Sequence, residues 1–282
     1  MERKFKIYIL KDNEELGLFA SKKAGEILEK YTNQLNRKCI CVFAAAPSQD
    51  TFLENLSKNK NIKWENIYAF HLDEYTDLPI GHPNTFQEYL RTHIFEKVNI
   101  PEENIFCIKE AGNTIDEIIQ NYTKSFVEKY KEVKNNGGIY FAFIGIGVNG
   151  HIAFNEPDTD LWTDEIIVKV RIDDVSVKQQ YEDYKNHPNP QARYKSLDDV
   201  PRNALTMTVS AILLSDKIFC MVPGRQKSNA VKQTIDGEIT NKVPSSFLRL
   251  HENVSLFLDQ ESAYLLLKKP ENKIKKEFKE CL

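Results

Sequence analysis

Apolar and polar positions along this chain fall into a repeating alternation. Short, continuously apolar runs are followed by longer stretches in which apolar residues recur every three or four positions. The runs at 5–10, 39–44, 67–72, 139–144, 217–222 and 254–258 are rich in β-branched and aromatic residues. Runs of that length and composition predict strands, and the lack of polar alternation in most of them predicts burial on both faces. Over 14–34, Leu16, Phe19, Ala20, Ala24, Ile27, Leu28 and Tyr31 fall on one face of a helix. Thr85 with Glu88, and Thr114 with Glu117, have the spacing of capping boxes that open two further helices. Strands alternating with helices of this length predict the α/β class. The expected architecture has three layers and is Rossmann-like, a mostly parallel sheet with helices on both faces.

No internal repeat and no Gly/Ser-rich linker divides the chain, so a single domain over 1–267 is expected, followed by a lysine-rich tail over 268–282. The stretch 187–201, with three prolines, reads as irregular. Composition narrows the function classes. The chain has 282 residues, 41% of them apolar, which is ample for a core and excludes disorder. Its 38 basic and 41 acidic residues leave a net charge of −3, which gives no excess of cations to hold a phosphate backbone, so nucleic acid is not an expected partner. No apolar run approaches the roughly 18 residues of a membrane span. The beginning of the sequence lacks the apolar segment of a secretory signal. The odd set Cys39, Cys41, Cys107, Cys220 and Cys281 lacks metal-ligand spacing and reads as buried thiols in a reducing compartment. A cytoplasmic location is expected, with no metal and no membrane partner.

In folds of this class ligands bind at the carboxyl ends of the strands, so the chemistry is sought in the loops that follow them. The loop after 139–144 reads Gly145-Ile-Gly-Val-Asn-Gly-His-Ile-Ala-Phe-Asn-Glu-Pro157. Its Gly-x-Gly-x-x-Gly spacing superficially matches a dinucleotide fingerprint. The continuation is not an amphipathic helix, however, and no acidic strand end follows about 20 residues on, which argues against a nucleotide cofactor. His151 and Glu156 lie close enough in sequence to meet across a turn, and a carboxylate that fixes an imidazole makes a general acid–base unit. The loop after 67–72 begins Asp73-Glu74-Tyr75. Adjacent carboxylates at a strand end point to different sides, so one can enter the crevice while the other serves the scaffold. Burial and mutual repulsion would push one pKa toward neutrality.

Leu72-Asp-Glu-Tyr75, His82-Pro83, Gly150-His-Ile-Ala-Phe-Asn-Glu-Pro157, Val200-Pro-Arg-Asn-Ala-Leu-Thr206 and Gly224-Arg-Gln-Lys227 stand in one order along the chain. In this the sequence resembles the glucosamine-6-phosphate deaminase/isomerase family over about residues 10–265. The more distant 6-phosphogluconolactonases share the Gly-His step but usually not the Phe-Asn-Glu-Pro that follows it. The resemblance implies ring opening of an amino-sugar phosphate, aldose–ketose isomerisation and release of ammonia, giving fructose 6-phosphate in amino-sugar catabolism without a cofactor. It implies that Asp73 moves the proton between C2 and C1, and that His151, held by Asn149 and Glu156, serves ring opening. It also implies substrate contacts at Ala45, Ala46, Ser48, Glu74, Gly150 and Lys227, a lid over 158–197, and assembly into a homo-oligomer.

At one end the chain departs from the family. Where a Thr-Gly-Gly-Thr type turn normally cradles the phosphate, this chain has Ala45-Ala46-Pro47-Ser48, and Pro47 has no N–H to offer. Gln180 aligns with a phosphate-binding arginine, and Arg193 or Lys178 are the candidates to restore its charge. Lys227 matches the family's phosphate lysine. Two readings follow. Either an insertion over 185–197 rebuilds the phosphate pocket, or the same chemistry acts on a different or unphosphorylated sugar. A reading of another class, a sugar-sensing module without turnover, is disfavoured by the retained Asp73, His151 and Glu156.

Overall fold

A computed structural model of the chain describes residues 4–160 and 162–268. Each of the six apolar runs forms a strand: β1 (Lys4–Leu10), β2 (Cys39–Phe43), β3 (Ile67–His71), β6 (Tyr140–Ile144), β9 (Lys217–Val222) and β10 (Asn253–Asp259). Four strands were not legible in the pattern: β4 (Asp73–Tyr75), β5 (Ile105–Phe106), β7 (Ile167–Arg171) and β8 (Asn203–Met207). β4 and β5 are only three and two residues long, β7 mixes buried with exposed positions and β8 carries Asn203 and Thr206, so none makes the continuous apolar run that marks a central strand.

β5 joins the six in a seven-stranded sheet of order β1-β10-β9-β6-β2-β3-β5, with every pairing parallel. Within each buried strand, alternate residues serve opposite faces. Ile40 and Val42 enter one core with Tyr140 and Ala142, while Cys39, Cys41 and Phe43 enter the other with Phe141 and Phe143. Helices α1 (Asn13–Glu29), α2 (Asp50–Ser57), α3 (Phe86–His93) and α5 (Asp174–Tyr184) cover the second face. α4 (Ile115–Asn135), α6 (Val209–Leu213) and α7 (Ser228–Asp236) cover the first. The result is the expected three-layer α/β fold.

Helix starts follow local chemistry. Asp12 accepts from the Glu15 N–H to open α1, and Thr114 with Glu117 forms a full capping box on α4. Thr85 supplies only half of the expected box: its hydroxyl accepts from the Glu88 N–H, and the reciprocal bond is not among those of the α3 cap. Cys39, Cys41, Cys107 and Cys220 are free and buried. The tail beyond Lys268, with Cys281, lies outside the described residues.

Two features of the topology position the site. Strand order reverses between β2 and β6, since β3 and β5 lie to one side of β2 while β6, β9 and β10 extend to the other. The loops leaving β2 and β6 therefore diverge and open a crevice. The floor beneath it is rigid, with Phe43 and Phe143 stacked across the β2–β6 pair at 5.3 Å. The second feature is a switch of sheets at Leu72. Its N–H still bonds to Phe43 in the parallel sheet, while its carbonyl accepts from Met207. From there the chain continues as β4 into a separate antiparallel sheet of order β4-β8-β7.

Candidate active site

The bend at Leu72 sends the two acids in different directions, as expected. Asp73 lines a solvent-open cavity of about 60 Å³ at the β2–β6 switch point. Glu74 turns the other way, and its carboxylate accepts from the N–H groups of Tyr75 (2.8 Å), Phe86 (3.1 Å) and Gln87 (2.9 Å). It thereby fastens the amino end of α3 behind the site. Glu74 is fully buried and does not line the cavity, so the expected substrate contact is corrected to a scaffold role. Burial, with the neighbouring charge of Glu74, pushes the Asp73 carboxyl well above the usual carboxylate range. Burial also pushes Glu74 up to about 7, against the three N–H donors that favour its ionised form.

His151 enters the same cavity from the loop after β6. That loop is shaped by its glycines. Gly150 has φ +90°, in the left-handed region, and the Gly147 N–H donates to the His151 carbonyl at 2.9 Å. Gly147 also lies against the imidazole, where a side chain would overlap the ring. His151 Nδ1 stands 2.9 Å from Ser176 Oγ and 3.4 Å from Glu156 Oε2. Asn149 Nδ2 donates to Glu156 Oε2 and to Asp173 Oδ2, both at 2.8 Å, while its Oδ1 accepts from the His151 N–H. Two carboxylates on one side and an amide N–H on the other fix the orientation of this amide. Burial raises the pKa of Glu156, but hydrogen bonds from His151, Asn149 and Ser176 outweigh it and hold the carboxyl below its usual value. Nδ1 is thus engaged from behind, which leaves Nε2 as the ring nitrogen for a ligand.

The structure brings Asp73, His151, Ala45, Ala46, Ser48 and Lys227 together on the wall of this cavity. Asn149, Glu156 and Gly150 do not line it; they stand behind His151 and shape its loop. Gln180 lines the wall, but Lys178 and Arg193 are exposed and do not, and the Arg193 Nε–H donates to the His187 carbonyl instead. Neither candidate cation reaches the site. Sequence reasoning missed Asp173 and Ser176. The first caps α5 by accepting from the Ser176 N–H at 2.7 Å, so an Asp at the head of an amphipathic stretch was the available signal. Gln49 and Gln179 were also missed, since a lone glutamine carries no pattern. Among the described residues no group of three His, Cys, Asp or Glu is arranged to hold a metal ion, and no helix is long and apolar enough to cross a membrane.

A parallel α/β sheet with a carboxyl and an imidazole in one cavity at its switch point has the groups that proton transfer on a small molecule requires. The sequence profile of the glucosamine-6-phosphate isomerases/6-phosphogluconolactonases matches residues 19–257. The glucosamine-6-phosphate deaminase of Thermoanaerobacter sp. (strain X514) is 31% identical over 266 residues, which cover 93% of this chain and 95% of that one. The deaminase of Clostridium beijerinckii is 29% identical and covers 92% and 98%. Among solved structures, a monomeric glucosamine-6-phosphate deaminase superposes with a TM-score of 0.78 at 24% identity, covering 93% of this chain and all of that one. The 6-phosphogluconolactonase of Trypanosoma brucei superposes with a TM-score of 0.69 at 17% identity, covering 94% and 100%. The chain belongs to the glucosamine-6-phosphate isomerase/6-phosphogluconolactonase family and is an enzyme of carbohydrate metabolism.

Proposed function

We propose that the chain is a deaminase/isomerase of the glucosamine-6-phosphate deaminase type, acting on a 2-amino aldose and releasing ammonia and a ketose. The observation that carries this reading is the meeting of Asp73 and His151 in one cavity, with His151 backed by Glu156 and Ser176. His151 Nε2 shuttles a proton between the ring oxygen and the anomeric hydroxyl, which opens the ring to the aldehyde. Asp73 then takes the proton from C2 and returns it to C1, while one proton of the amino group passes to O1, so that the amino aldehyde becomes the 2-imine of the ketose with a C1 hydroxyl. Water adds to that imine and ammonia leaves, so the net change is hydrolysis of one C–N bond. A positioned base beside a carbonyl suffices for this sequence, and the enzyme is therefore assigned as a cofactor-independent hydrolase.

The raised pKa of Asp73 suits the role. A more basic carboxylate is a better proton acceptor, and the ammonium group that the substrate carries at C2 favours its ionised form on binding. Segment 158–197 is assigned as a lid, because α5 brings Ser176, Gln179 and Gln180 to the site and its closure would exclude water from the enolic intermediate. Protease protection left unchanged by saturating ligand would refute the lid. The four buried thiols fit a reducing cytoplasm.

The test is ammonia release by wild type and by Asp73→Asn. The variant is expected to lose about 10³-fold in kcat while still binding a substrate analogue. Full residual turnover would overturn the assignment.

A further inference from the structure

The catalytic cavity adjoins a second chamber, and the two share Ala46, Ser48, Gln179 and Lys227 as walls. Among the described residues Lys227 is the one lysine or arginine on either lining, so its ammonium is the group for the anionic end of a sugar phosphate. That charge is already engaged. The ammonium donates to Gln179 Oε1 at 3.0 Å, and the same oxygen accepts from the Val148 N–H at 3.0 Å. With its oxygen held from two sides, Gln179 gives its amide N–H to the Asp183 carboxylate. Gln179 and Asp183 stand four residues apart on α5, on one face of the helix, and Asp183 lines the second chamber. Burial pulls the Lys227 pKa down to about 8, and the charge of Asp183 restores part of the loss. Burial raises the Asp183 carboxyl, and Lys227 opposes that rise. Each group favours the charged form of the other.

The turn beside Lys227 adds few donors. Pro47 has no N–H, and the N–H groups of Gln49 and Asp50 are taken by the carbonyls of Ala46 and Pro47. Ser48 Oγ accepts from Gln49 Nε2 at 3.1 Å, which keeps its own proton for an anion. The chamber's other acid, Asp259, accepts from the N–H groups of Gly224 (2.9 Å) and Ser262 (2.6 Å). Asp183 is therefore the carboxylate directed at Lys227. A phosphate dianion on Lys227 must take the ammonium from Gln179 and lie against Asp183. Like charges that share a partly buried chamber repel strongly, because little water and salt come between them.

We propose that Asp183 is a specificity-determining residue, which answers the charge of Lys227 in the empty enzyme and opposes the phosphate of the substrate, so that the phosphate end is held weakly. The proposal rests on the deaminase reading above, with a 6-phosphate as the anionic end of the sugar. Wild type, Asp183→Asn and Asp183→Glu are to be compared at pH 6.5, on the protonated side of Lys227. Binding of inorganic phosphate is measured by calorimetry, and KM for glucosamine 6-phosphate from ammonia release. Asp183→Asn keeps an acceptor for the Gln179 amide and removes only the charge. It should lower both the phosphate Kd and the KM by about tenfold or more. Asp183→Glu keeps the charge and should stay within about threefold of wild type. A phosphate Kd for Asp183→Asn no tighter than that of wild type, no detectable phosphate binding to either, or an equal gain in Asp183→Glu overturns the proposal. Absence of ammonia from folded wild type overturns the deaminase reading instead, and the phosphate Kd then still decides the role of Asp183.

Discussion

Replacing Gly147 with alanine puts a methyl group into the space of the His151 ring. The three atoms nearest to the added carbon are all imidazole atoms, closer than real Cβ contacts come. The φ of Gly147 lies outside the left-handed region, so alanine meets no left-handed backbone strain there and the nearest conflict is with His151. The ring cannot yield freely, because Nδ1 is held by Ser176 at 2.9 Å and by Glu156 at 3.4 Å. Reaching ordinary van der Waals separation requires a shift of about 1 Å, and displacements of that size cost about 10²-fold in positioned catalysis. Loss of the Ser176 bond contributes about 1 kcal/mol, which for a chain of this size lowers Tm by about 2–4 °C. The expected result is a kcat for ammonia release about 10²-fold below wild type with the fold retained. The assay is steady-state ammonia production beside a thermal melt. A kcat within a factor of two of wild type would refute the placement of His151 against Gly147.

Three further outcomes follow from the same geometry. Asn149→Asp turns two 2.8 Å donor contacts, to Glu156 and Asp173, into carboxylate–carboxylate contacts, at a cost of roughly 3–6 kcal/mol. A proton shared among the three acids restores one bond and raises a folded-state pKa. The Tm gap to wild type should therefore widen from pH 5 to pH 8, and a pH-independent gap would count against the network. Ser176→Ala removes a partner of Nδ1 and should lower kcat about tenfold with a displaced pH profile; an unchanged profile would show that Glu156 alone positions the ring. Glu74 is raised from 4.5 to about 7, so its contribution is complete below pH 4.5 and is lost as pH rises through 7, by about 3 kcal/mol in total. Glu74→Gln does not titrate. Its stability relative to wild type in urea should rise by that amount between pH 4.5 and 8, and a flat difference would refute the burial argument.

Much of the site was legible because it is local. Asp73 and Glu74 split to opposite sides since neighbouring residues of a strand must, and only Asp73 lines the cavity. His151 and Glu156 meet because a glycine-rich turn brings positions five apart together. Ser176 was not legible, because its partner in function is 25 residues away in sequence and reaches it only once α5 has docked. The same docking turns Lys178 outward and Gln179 and Gln180 inward, which no count of nearby cations anticipates.

The sequence by itself determined six of the strands, the long helices, the α/β class and the two loops that carry Asp73 and His151. Each of these follows from residue order over a few turns or strands, where periodicity and capping act through short-range contacts. The tertiary structure alone decided that β2 and β6 lie side by side with their loops diverging, that the chain changes sheets at Leu72, and that, among the described residues, Lys227 is the one lysine or arginine of the cavity wall. These depend on parallel pairings between strands about 100 residues apart and on burial, which sets charge and hydrogen-bond demand only after the layers close.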